Sequence, residues 1–292
     1  MAAMLVCAPG RAQAQHELDE QRIAAAAGTK ATIKDGVVRI EWPRDDVAVR
    51  VDRLQLKPFA GLGSWAAFTA APHGAMMMGD TVVFQDEVTP ALDAALASEL
   101  EVTALHNHFF FDEPKVYFMH IGGQGEPDKL AAAVRSVWDA IKKVRSGRSA
   151  PADDFGGDTP REGKVDASAI DKLLGTQSTT KDGIVKVSIG RDGSMHQVKV
   201  GGAMGLSTWA AFSGSDNLAA VDGDFIMTAS EVQPVLRSLR KSGIHVVALH
   251  NHMIGEQPAF YFLHFWGKGS TEQLAKAVKT ALDAQKTSGS GH

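Results

Sequence analysis

Apolar and polar positions along the chain change period several times and then repeat the whole series. Leu18–Ala27 has helical spacing and stops at Gly28, a residue that ends helices readily because it accepts left-handed backbone. Alternating positions follow over Thr32–Trp42 and over Val47–Leu56, where Val47, Val49 and Val51 share one side, and both stretches predict strands. Short apolar runs at Trp65–Phe68 and Thr81–Phe84 predict two more, with Trp65 a core anchor and Gly79-Asp80 a turn. Pro90, favoured in a first helical turn, places a helix from there to about Ser98. Val102–Phe109 and Val116–Gly122 read as strands joined by a turn at Asp112-Glu113-Pro114. Asp128–Val144 then sets Leu130, Val134, Val137, Ile141 and Val144 on one helical face.

The series restarts at a second opening helix, Ala167–Leu174, which stops at Gly175. A shift of 144 residues aligns Gly61–Lys142 with Gly205–Lys286 without a gap, and 33 of the 82 positions are identical. GLGSWAAF at Gly61–Phe68 meets GLSTWAAF, and Gly79-Asp80 meets Gly223-Asp224. ALHNH occurs at Ala104–His108 and again at Ala248–His252, and Tyr117–His120 recurs as Tyr261–His264. Strands and helices in mixed order with adjacent hairpins indicate an α+β fold rather than a doubly wound parallel sheet. The expected architecture is a tandem duplication of one α+β unit, mainly antiparallel sheet with two to three helices, packed as a pseudo-twofold pair. Repeat units fall at 15–145 and 165–289, and residues 146–164, rich in Gly, Pro, Ser and charge, read as a linker.

Composition narrows the function classes. A net charge of -4 lacks the basic surplus of a nucleic-acid binder. No run approaches the roughly 20 apolar residues of a membrane-spanning helix. The single cysteine, Cys7, builds neither an internal disulfide nor a thiolate metal site. It falls in residues 1–14, where apolar Ala2–Ala8 and the small-x-small Ala12-Gln13-Ala14 read as a truncated signal peptide. The expected location is therefore periplasmic or secreted. Phosphate-loop, dinucleotide and nucleophile-elbow motifs are absent.

Histidine carries the chemical signal. Six of the eleven histidines occupy equivalent places in the two units: His106, His108 and His120; His250, His252 and His264. His106 and His108 share a strand face, because side chains alternate. A hairpin turning about Glu113 places His120 opposite His106 and Phe118 opposite His108, with Cβ atoms about 5 Å apart. Three converging imidazoles suit a transition metal, and zinc and copper are the candidate ions. Acidic residues that could join them are Glu87, Asp112 and Glu113, and Glu231 and Glu256 in the second unit. Asn107 and Asn251 point away from that face and read as backbone holders, and the only tyrosines, Tyr117 and Tyr261, read as core residues.

GLGSWAAF, the Gly-Asp pair, ALHNH with YFMH and the duplication together resemble the LppY/LpqO family of exported bacterial proteins. That resemblance implies a cell-envelope location and no chemistry, since the family has no established activity. The expected function is an exported protein binding a transition metal or small ligand at two His-lined sites. A metal-dependent hydrolase using Glu87 or Glu113 as base, and a structural envelope protein without metal, are the alternatives.

Overall fold

The computed structural model describes residues 17–289; the expected signal peptide at 1–14 lies outside the described residues. In the first half α1 (Glu20–Ala27) is capped by the Asp19 carboxylate, which accepts from the N–H groups of Gln21 and Arg22. Six strands of the main sheet follow: β1 (Ala31–Lys34), β2 (Val37–Pro43), β3 (Gly63–Ala71), β4 (Gly74–Phe84), β5 (Glu101–His106) and β6 (Val116–Gly125). Helix α2 (Gln85–Ala97) lies between β4 and β5, and α3 (Pro127–Gly147) closes the unit. The second half repeats this as α4 (Ala167–Leu174), β7 (Thr179–Lys181), β8 (Ile184–Gly190), β9 (Ser207–Gly214), β10 (Ala219–Met227), α5 (Ala229–Lys241), β11 (His245–His250), β12 (Tyr261–Gly269) and α6 (Thr271–Gly289).

The twelve strands form one sheet in the order β1-β2-β3-β4-β6-β5-β11-β12-β10-β9-β8-β7. That order reads the same from either edge once each strand is exchanged for its counterpart. The halves meet edge to edge where β5 runs antiparallel to β11, with Leu105 opposite Leu249, its own equivalent under the 144-residue shift. One hydrophobic core runs through both halves, between the sheet and its helices; Leu105, Met119, Val134 and Trp138 belong to it, as do Leu249, Leu263 and Val278. Burying it supplies the main driving force, at about 25 cal/mol per Å² of apolar surface removed from water. The other face carries two smaller clusters, one around Val82, Phe84, Val116 and Phe118, the other around Leu206, Ile226, Phe260 and Phe262.

The fold is therefore α+β, mostly antiparallel and duplicated, as expected, but several local readings need correction. Thr32–Trp42 is a hairpin, not one strand: Asp35 and Gly36 have φ of 52° and 76°, the primed two-residue turn. Asp182 and Gly183 repeat it at 52° and 76°. Val47–Leu56 contains only the short strands Arg50–Val51 and Leu54–Gln55, because Asp52 and Arg53 turn the chain with φ of 46° and 69°. Helix α2 begins five residues before Pro90, which lies inside it. The Glu87 carboxylate accepts from the Phe84 N–H at 2.9 Å and starts the helix there. Gly79-Asp80 and Gly223-Asp224 are not turns but strand interiors. A Cβ at residue 223 would lie 2.3 Å from both the Trp209 carbonyl and the Phe265 ring, so only glycine lets these strands approach. Trp65 and Trp209 are half-buried outside the core, beneath the Arg39 guanidinium at 4.3 Å and the Lys186 ammonium at 4.0 Å.

The segment between the halves crosses the seam. The Ala152 N–H donates to Asp86 at 3.1 Å, Phe155 stacks on His245 at 4.0 Å, and the Lys268 ammonium donates to the Gly156 carbonyl at 2.6 Å.

Candidate metal centres

Residues directly opposite in an antiparallel pair share a face, and parity decides which side chains meet. Leu105 lies opposite Met119, and both enter the main core. Their neighbours His106 and Phe118, also opposite each other, therefore emerge on the far face. This register is a correction: His106 faces Phe118 rather than His120, which faces Ala104. The displacement is two residues, an even number, so the histidines keep a common face. An irregularity between Val102 and Ala104 accompanies it.

His106 stacks with His108 at 5.2 Å and with His120 at 5.0 Å between ring centres. In the second half His250 lies 5.1 Å from His252 and 5.1 Å from His264. Each triad offers three ring nitrogens within 4.8 Å of one another. An ion bound tetrahedrally at about 2.1 Å requires nitrogens roughly 3.4 Å apart, so modest side-chain rotations close either triad around a metal. His108 rests flat on Phe118 at 3.3 Å, and His252 on Phe262 at 3.4 Å, which fixes the exposed member of each set.

Backbone contacts orient the rings. The Nδ1 of His106 lies 3.2 Å from the Asn107 carbonyl and that of His250 3.3 Å from the Asn251 carbonyl. His264 Nδ1 lies 3.4 Å from the Gly223 carbonyl. A carbonyl only accepts, so Nδ1 carries the proton and Nε2 keeps its lone pair for a ligand. Asn107 and Asn251 hold the following turn, each donating from its amide to the backbone carbonyl two residues on, Phe109 and Met253, at 2.8 Å. Tyr117 and Tyr261 pack against the main core, on the other face.

Four of the five acids proposed beside the histidines are engaged elsewhere, and the fifth, Glu113, is exposed. Glu87 is fully buried, and the Arg44 guanidinium donates to it twice, at 2.8 and 2.9 Å. Arg145 joins that pair at 2.7 Å. Glu231 accepts from Arg191 at 2.5 Å and from the Thr228 N–H at 2.7 Å. Asp112 accepts from the Val116 N–H at 2.7 Å, and Glu256 from the Phe260 N–H at 2.9 Å, closing equivalent turns. Glu113 is exposed opposite Arg50. The carboxylates beside the triads are Asp80, 3.9 Å from His120 Nε2, and Asp224, 3.7 Å from His252 Nε2. Their signal was present in the sequence: both lie in the repeated Gly-Asp pair.

Burial pushes the carboxyl groups of Asp80 and Asp224 up from the ordinary carboxylate value, against the pull of the nearby imidazoles. Burial also holds His108 and His252 below the ordinary imidazole value, and the neighbouring histidines of each triad push the same way. These rings are therefore neutral near pH 7, the form that binds metal.

Residues 21–140 and 168–284 each match the model of a family described as a domain of unknown function (DUF1259). The chain belongs to this family. Two matched segments in one chain agree with the internal duplication, and each DUF1259 segment contains one complete triad with its aspartate. Comparison with curated proteins and with solved structures found no match.

Proposed function

We propose that this is an exported envelope protein of the LppY/LpqO kind that binds a transition-metal ion at each of two His-lined sites. The observation that carries the reading is the convergence of three ring nitrogens in both halves. The rings of each triad pack against one another, and His106, His250 and His264 are oriented through Nδ1, so little ordering entropy remains to be lost when an ion binds. Binding is favoured over hydrolysis because the base candidate Glu87 and its counterpart Glu231 are held by arginines, and the other candidate, Glu113, is not part of either histidine cluster. In the same reading the halves are related by a pseudo-twofold axis through the Leu105–Leu249 pair, and the cell compartment is the periplasm or beyond. No helix among the described residues is long and apolar enough to cross a membrane.

The test is metal analysis of tag-free protein, followed by zinc and copper titration. Two ions per chain are expected. Affinity weaker than about 10 μM for both metals, some 7 kcal/mol of binding energy, removes the reading.

A further inference from the structure

We infer that Asp80 and Asp224 are the fourth donors of the two centres, making each a cage of three imidazoles and one carboxylate for a divalent transition-metal cation. The inference rests on the triads being metal sites and adds a ligand to each.

Sheet order produces the arrangement. β6 pairs with β4 on its far side, and there His120 lies directly opposite Asp80; His264 lies directly opposite Asp224 in the same way. Both aspartates are more than nine-tenths buried, at 7% and 3% exposure. In each, Oδ1 is buried without a hydrogen-bond partner. Buried polar atoms nearly always find partners, and a lone pair left idle at equivalent positions in both halves points to a ligand.

The side on which the carboxylate sits distinguishes a ligand from a support. A carboxylate that orients a ligating histidine accepts from the nitrogen facing away from the metal. In these triads that nitrogen is Nδ1, which faces backbone carbonyls in His106, His250 and His264. Asp80 stands 3.9 Å from His120 Nε2 and Asp224 3.7 Å from His252 Nε2, too far to hold either ring by a hydrogen bond and close enough to share an ion with it. Among the described residues no arginine or lysine is paired with either carboxylate, and the groups that face them are the triad imidazoles. A divalent cation would balance this charge; three neutral imidazoles and one carboxylate leave it a single net positive charge. The mixed nitrogen–oxygen set suits Zn²⁺ or Co²⁺. It disfavours Cu(I), which prefers sulfur, and Mg²⁺ or Ca²⁺, which prefer all-oxygen shells.

The experiment titrates tag-free, full-length protein with Co²⁺, followed by its visible absorption and with Zn²⁺ in competition. Wild type is expected to take two ions with the intense spectrum of four-coordinate cobalt. Asp80→Asn keeps the shape but removes the charge, and should leave one ion bound as before and the other weakened 10- to 100-fold, with an altered cobalt spectrum. Circular dichroism checks that this variant folds. Asp80→Cys gives a readout that a structural role would not: a thiolate-to-cobalt charge-transfer band, absent from wild type, whose Cys7 is the control. Unchanged affinity and spectrum in Asp80→Asn, with no new band in Asp80→Cys, would overturn the carboxylate assignment while leaving the triads as metal sites. Failure of wild type to bind either ion would remove the triad reading and this assignment together.

Discussion

The two histidine triads have nearly the same ring spacing, whereas the ion pairs that start α2 and α5 differ. Ring separations of 5.2 and 5.0 Å in the first triad compare with 5.1 and 5.1 Å in the second. In contrast, fully buried Glu87 is held by Arg44, 1% exposed, and by Arg145, whereas Glu231 is held by Arg191, 29% exposed, and by Gln285 at 3.3 Å. The loops beside the triads differ as well: Phe109-Phe110-Phe111 stands where the second half has Met253-Ile254-Gly255. Support can be rebuilt from different groups wherever the helix N-terminus gets its carboxylate and the carboxylate gets its cation. A set of donors converging on a point has no such freedom, because its geometry is the requirement.

Replacing His106 and His108 together with alanine has the largest expected effect, loss of one metal equivalent per chain with the other retained. Titration with circular dichroism decides it; loss of both equivalents with the fold intact would show one composite site. Next comes Glu87→Ala, which takes the shared carboxylate from two buried guanidinium groups, leaving Asp46 to Arg44 and Asp86 to Arg145, and should destabilise by about 3 kcal/mol. Glu231→Ala should cost about half as much or less, since Arg191 can reach water; urea unfolding compares the two. Gly223→Ala should then destabilise by about 1–3 kcal/mol through strand displacement, and more than Gly79→Ala. The contacts explain the ranking: 2.3 Å at residue 223 against 2.9 Å at residue 79. Equal thermal shifts would contradict it.

The seam offers the smallest effect. On one side Gln233 pairs through its side-chain amide with Val102 N–H and C=O, at 3.2 and 2.8 Å. Its counterpart Thr89 instead contacts His245 Nδ1 at 2.9 Å, beneath Phe155. Burial, with Arg240 nearby, holds His245 below the ordinary imidazole value. The unfolded chain therefore takes up the proton first as pH falls. The stability His245 contributes is full above about pH 6.5 and is lost as pH drops through its folded value. His245→Gln should flatten the acid side of the stability profile in metal-free protein, and an unchanged profile would assign that slope to other groups.

Local order was legible wherever one period or one turn dipeptide settles it. The opening helices, the closing helix over Leu130–Ile141 and the strands around the histidines follow from periodicity. Asp35-Gly36 was a readable hairpin signal hidden within a continuous alternation. Gly79-Asp80 reads as a turn because glycine beside aspartate is a common turn pair, and nothing local reveals that the glycine is needed for a close approach to the Trp65 carbonyl across the sheet.

By itself the sequence determined the duplication, the α+β class and the shared face of His106 with His108, because identity at a fixed offset and side-chain alternation are properties of the chain alone. Parity also carried His120 onto that face, since an error of two residues in register changes the neighbour and not the side. Only the tertiary structure decided that Asp80 stands opposite His120, that Glu87 belongs to Arg44, and that the two halves share one sheet through Leu105 and Leu249. Those pairings join segments about 40 to 144 positions apart. They are selected by which faces can be buried together and which charges must find partners, and neither choice leaves a period in the sequence.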